Sequence, residues 1–207
     1  MDRLVIVVQI WLLLLAVCAL LMVVSFVQID VPVAQHLWKS SAPLGRLDSA
    51  LGAATVLTVE AAVVLGLVLL RVVRGKISPF GEALAIACLA SICTYAINNE
   101  VLKPLFGVPS PSAVMEGAKH SFHWLRGSEN SSFPSGHMAL AGAFAGVFMI
   151  YCRASVWLLS ALLLLAAVLL VVGDWHFLSD VIAGAFVGVS AGMLAGEAWN
   201  ARFQQTA

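Results

Sequence analysis

Phe133-Pro134-Ser135-Gly136-His137 is followed without a break by an apolar run from Met138 to Tyr151. A run of that kind reads as a membrane helix. A hydroxyl, two flexible backbone amides and an imidazole therefore stand at its N-terminus. Such an end carries unpaired N–H groups and a partial positive charge, which suits an oxyanion. Trp175-His176-Phe177-Leu178-Ser179-Asp180 stands before another apolar run. His176 and Asp180 are four residues apart and share a face of a helical turn. A carboxylate so placed holds an imidazole in one tautomer and stabilises its protonated form. Two histidines, one with a carboxylate partner, beside an anion nest point to phosphoryl transfer.

The surrounding chain agrees with a membrane setting. It has 207 residues, 61% of them hydrophobic and 11% charged. A soluble domain of this size carries about a quarter charged residues. The formal charge is zero with no basic block, which argues against nucleic acid as a partner. Cys18, Cys88, Cys93 and Cys152 lie in or beside apolar runs without metal-ligand spacing and read as small hydrophobes. The first apolar run is too long for a signal-peptide core and lacks a small-x-small site, so it reads as a retained helix.

The expected fold is all-α: one integral membrane domain over 1–207 with six transmembrane helices. They run from about Leu4 to Val27, Leu51 to Val73, Phe80 to Ile97, Gly136 to Tyr151, Ser155 to Val172 and Val181 to Trp199. A polar loop is expected from Gln28 to Asp48, with Asp30, His36, Lys39 and Arg46, because Pro32 and Pro43 oppose one long helix. A short interfacial helix fits there too. Glu60 lies well inside the second helix. An intramembrane carboxylate is a functional candidate by default, and a hydrogen bond between helices is the plainer reading.

Arg71, Arg74 and Lys76 form a compact basic cluster in a short loop, which places that loop in the cytoplasm. Arg153 and Arg202 then also fall inside. The loop over about 98–135 lies outside and forms part of the site; it holds Lys103, Lys119, His120, His123, Trp124 and Arg126. Gly142-x3-Gly146 and Gly184-x3-Gly188-x3-Gly192 allow close approach of two helices in lipid. Those helices are the ones headed by His137 and by His176 and Asp180.

The pattern resembles the type 2 phosphatidic acid phosphatase (PAP2) superfamily of membrane lipid phosphatases. Its motifs are Lys-x6-Arg-Pro, Pro-Ser-Gly-His and Ser-Arg-x5-His-x3-Asp. The second is complete at Pro134 to His137. The first keeps Lys103 and Pro111, with Ser110 at the arginine position. The third keeps His176 and Asp180, with Leu169 and Leu170 in place of Ser-Arg. The resemblance implies that His176 attacks phosphorus, Asp180 orients it, and His137 protonates the leaving oxygen and then activates water. It also implies that Lys103, Ser135 and the amides near Gly136 hold the phosphate, without a metal or other cofactor. His120-x2-His123 offers two metal-type ligands but no clear further ones.

Losing two phosphate-binding arginines costs about 6–8 kcal/mol if additive, roughly 10⁴- to 10⁶-fold in rate. Three outcomes follow: other cations substitute, the substrate is less charged, or phosphatase activity is lost. Arg126 is the first candidate substitute, because its guanidinium forks onto two phosphate oxygens, and Lys119 the second. The expected substrate is a lipid phosphate at the outer leaflet of a bacterial inner membrane, with membrane lipids as surroundings. Undecaprenyl pyrophosphate, phosphatidylglycerophosphate, phosphatidic acid and lipid A phosphates all suit a site at bilayer level. The alternatives are transfer of the phosphoryl group to a second lipid, and a catalytically impaired relative that binds a lipid or protein.

Overall fold

The computed structural model describes residues 3–38, 52–127 and 131–206. Every regular element among them is helical, apart from one isolated bridge between Pro109 and Ser131. Helix α1 (Arg3–Val24) continues through a π turn, Ser25–Ile29, into α2 (Asp30–Leu37). The chain is thus helical where a loop was expected from Gln28. Pro32 is tolerated because it follows directly on the π turn, whose i−5 bonds shift the hydrogen-bond register there. Lys39, Pro43 and Arg46 lie outside the described residues.

Helix α3 (Ala53–Arg74) ends on Gly75, whose φ of 73° suits a left-handed cap. Helix α4 (Pro79–Ile97) starts on Ser78, whose hydroxyl accepts from Gly81 N at 3.1 Å. Glu82 in its first turn lies 3.4 Å from Arg71 and closes the α3–α4 corner. At the far end of α4 a second π turn, Asn98–Leu102, leads into α5 (Lys103–Phe106), which stops on Gly107 with φ 60°. Residues 98–106, expected as the start of the outer loop, are therefore helical. Pro104 again enters just after a π turn. Such turns are frequent at functional sites.

A short helix, α6 (Pro111–Met115), precedes α7 (Gly136–Tyr151), α8 (Val156–Val172) and α9 (Leu178–Thr206). Five stretches are long and apolar enough to cross a membrane: Val5–Leu37, Ala53–Arg74, Pro79–Phe106, Arg153–Val172 and Leu178–Ala201. Helix α7 is apolar but has 16 residues, fewer than the roughly 20 that a span needs. The expected six spans thus appear as five helices of spanning length and one shorter apolar helix. Ten residues of α7 are buried, so protein rather than lipid surrounds much of it.

The glycine ladders do pack against each other. A Cβ at Gly142 would meet Val189 N at 3.0 Å, and one at Gly146 would meet Met193 N at 2.8 Å. Gly188 and Gly192 face the carbonyls of Ala139 and Ala143, and Gly184 faces that of Ser135. This contact fixes the N-terminus of α7 against the first turns of α9. Lys103, the 134–137 turn and the 176–180 turn lie at one end of the bundle. The Arg71, Arg74 and Lys76 corner and Arg153 belong to the opposite helix ends.

Candidate active site

Ser135 is the N-cap of α7, fully buried, with its hydroxyl accepting from Met138 N at 3.3 Å. Its own amide donates to the carbonyl of Asp180 at 3.0 Å, so the α7 and α9 turns are tied by backbone. Asn98 Nδ2 donates to Pro134 O at 3.0 Å and fixes the turn from the α4 side. A Cβ at Gly136 would come within 3.1 Å of the Tyr95 ring and 3.3 Å of Asn99 Oδ1. Gly136 and His137 occupy the first positions of α7, whose amides have no intrahelical acceptor.

His137 is half-buried and His176 is buried. Nδ1 of His137 lies 3.4 Å from Nε2 of His176. Nδ1 of His176 faces Asp180 Oδ2 at 3.5 Å. The same carboxylate oxygen accepts from Phe177 N at 2.9 Å, as a residue in the third helical position does when it reaches back to the cap. Asp180 is 0% exposed. Lys103, at the start of α5, is half-buried and within electrostatic reach of Asp180. The structure thus brings His137, His176, Asp180, Ser135, Gly136 and Lys103 to one place.

Arg126 is exposed, and its backbone N donates to His123 O at 3.0 Å. The next amide, Gly127 N, donates to Pro104 O at 3.1 Å, so Arg126 stands beside Lys103 along the chain path. Its side chain makes no hydrogen bond or ion pair among the described residues. Lys119 is also exposed. Ser110 caps α6, accepting from Ala113 N at 3.4 Å. Leu170 is buried against Met138 and Val181, and its carbonyl accepts from Trp175 N and His176 N. At both positions where the motifs carry arginine, the side chain does structural work.

Asp30 is a site neighbour that sequence reasoning placed in a loop. It is 1% exposed. Oδ1 accepts from Ser179 N at 3.1 Å, and Oδ2 accepts from the Ser179 hydroxyl. Asp30 therefore caps α9 one residue before Asp180. His120 reaches in from the outer loop, with Nε2 3.7 Å from Asp30 Oδ2. Its ring lies between Phe26 and Phe177, at centroid distances of 4.1 and 4.5 Å. Burial pushes the His120 pKa down. His123 turns elsewhere, with Nδ1 3.2 Å from Gly107 O, so the two histidines do not converge as a ligand pair. No group of three His, Cys, Asp or Glu side chains suited to a metal occurs among the described residues.

A groove of about 650 Å³ opens beside His137 and Trp175 and runs between α3, α7 and α8. Val56, Val59, Leu140, Phe144 and Leu163 line it, and Glu60 is the one acidic residue among its described lining residues. Leu169 and Leu170 line it too, so an apolar wall stands where the motif comparison would put Ser-Arg.

A family model described as PAP2 superfamily matches residues 83–203. The match runs from α4 into α9 and includes Lys103, Ser135, Gly136, His137, His176 and Asp180. Asp30 and Glu60 lie outside it. No curated protein and no solved structure matches the chain.

Proposed function

This chain belongs to the PAP2 superfamily, whose members are generally phosphatases, and from that premise we propose that it hydrolyses a lipid phosphate at the membrane surface. The observation that carries the reading is the placement of His137 and His176, 3.4 Å apart, beside an apolar groove. The headgroup phosphate sits over the two imidazoles and the lipid chain enters the groove.

Asp180 faces Nδ1 of His176, so Nε2 is the nitrogen left to attack phosphorus. The N–P bond forms, the P–O bond to the lipid breaks, and His137 gives its proton to the departing alkoxide. Water then gives a proton to His137 and attacks the phosphohistidine. The N–P bond breaks, phosphate leaves and His176 is restored. Lys103, the Ser135 hydroxyl and the amides of Gly136 and His137 stabilise the equatorial oxygens. Arg126 supplies a second cation from the loop beside Lys103.

The reading includes six spans, with α7 as the sixth, and an outer-leaflet site in a bacterial inner membrane. The basic α3–α4 corner supports that orientation. Undecaprenyl pyrophosphate, phosphatidylglycerophosphate, phosphatidic acid and lipid A phosphates remain the substrate candidates. A second reading, a relative that binds lipid without turning it over, is favoured by the structural roles of Ser110 and Leu170. Purified protein assayed against these lipids for released inorganic phosphate separates the two. Vanadate-sensitive, chelator-resistant release supports the phosphatase, and tight binding without release supports the second.

A further inference from the structure

Glu60 is 6% exposed, on a helix outside the family match, in a groove whose lining is otherwise apolar apart from Thr55, His137 and Trp175. A carboxyl in such surroundings is costly unless its oxygens have partners. One partner is Ser91, on α4. The Ser91 hydroxyl donates its single proton to Leu140 O at 3.1 Å, so it offers Glu60 only a lone pair. Glu60 Oε2 is shielded from solvent and has no hydrogen-bond partner among the described residues. A carboxylate offers acceptors only. What it lacks is a donor.

The position of that acceptor is informative. Leu140 is three residues beyond His137 on α7, about 4.5 Å along the axis. Ser91 therefore meets α7 about one helical turn beyond His137. Glu60 and His137 line the same groove, so a lipid whose phosphate meets His137 runs past Glu60. We infer that Glu60 is a specificity residue that accepts a hydrogen bond from a hydroxyl or amide N–H carried by the lipid next to its phosphate ester. The inference rests on the lipid-phosphate reading of the same site. It narrows the substrate class to lipid phosphates with a free donor near the headgroup, with the remaining chain in the apolar part of the groove.

Binding tests this without turnover. The probes are two phosphonates that the histidines cannot hydrolyse: a monoacylglycerol phosphonate with a free 2-hydroxyl, and its 2-deoxy counterpart with the same chain. Kd is measured for protein in nanodiscs. Wild type should bind the hydroxyl form about ten-fold tighter or more. Glu60→Leu should lose that preference and keep its affinity for the deoxy form within about three-fold. Glu60→Gln, which retains an acceptor oxygen, should keep part of the preference and guards against a leucine variant that fails to fold. Equal binding of the two probes by wild type, or an undiminished preference in Glu60→Leu, overturns the inference. Phosphate release from the matching phosphate esters is scored separately, so failure of the phosphatase reading shows as selective binding without turnover.

Discussion

Asp30 and Ser179, 149 positions apart, are joined by two hydrogen bonds inside the protein. They lock the first membrane helix onto the turn that carries Asp180. A bond to a charged group contributes about 1.5–3 kcal/mol. Asp30→Leu should therefore lower the melting temperature in detergent and reduce kcat at least ten-fold with little change in KM. Ser179→Ala removes one bond and leaves the backbone bond, so its losses should be smaller. Thermal melts and steady-state kinetics on the same preparations check both. An Asp30→Leu protein with native stability and kcat would remove Asp30 from any positioning role.

The glycine contact between α7 and α9 makes a second prediction. A Cβ at Gly188 would clash with the backbone of Ala139, and backbone cannot yield as a flexible side chain does. Gly188→Ala should destabilise by about 1–3 kcal/mol. It should also depress turnover, because the same contact sets the spacing of His137 and His176. Gly66→Ala is the control, since no atom lies within 4 Å of its would-be Cβ; its melt should match wild type.

Asp174 predicts a pH effect of known sign. It lies outside the membrane spans, is buried, and burial raises its pKa from 3.8 to about 6. Between those values the folded protein holds a proton that the unfolded chain has released. Stability contributed by this group is therefore present at about pH 4 and falls as pH rises through 6. Asp174→Asn should raise the melting temperature above pH 6 and leave it unchanged near pH 4. Asparagine also tolerates the left-handed φ of 58° at this position. Melts at pH 4, 6 and 8 test it, and a pH-independent difference would contradict the assignment.

The cations can be ranked. Lys103 is half-buried near Asp180 and should be the more important: Lys103→Met should cost about 10²- to 10³-fold in kcat. Arg126→Ala should cost up to about 100-fold, with Arg126→Lys retaining only part, since lysine lacks the fork. Ser110→Arg in the Arg126→Ala background should restore some activity. Near-normal turnover by Arg126→Ala would leave Lys103 and the helix amides as the phosphate binders.

Much of this architecture was legible in the sequence, and the exceptions have physical causes. The apolar runs place α3, α7 and α8 within a few residues, because lipid demands long uninterrupted hydrophobic segments. The four-residue spacing of His176 and Asp180 anticipates their approach, but His176 stands just before α9 and Asp180 in its first turn, so the pair meets across the helix start and not on one helical face. The extensions through Leu37 and Phe106 were hidden by Pro32 and Pro104. Each proline argues for a break unless a π turn re-registers the helix, and a π turn has no simple sequence signature. The link from Asp30 to Ser179 is a contact between the two ends of the chain and leaves no local pattern. Glu60 stood out as a carboxylate in an apolar run, but its groove and its Ser91 neighbour exist only once four helices have packed.

The central claim is that His176 carries the phosphoryl group. The most direct measurement is rapid acid-free quenching of protein mixed with a ³²P-labelled lipid phosphate, followed by phosphoamino-acid analysis. Wild type should give a transient, acid-labile, base-stable phosphohistidine. His137→Ala should accumulate it by slowing attack of water, provided that the first step still proceeds on a lipid with a good leaving group. His176→Ala should give no label and no turnover. Full turnover by His176→Ala, or the same labelled species in that variant, would contradict the account.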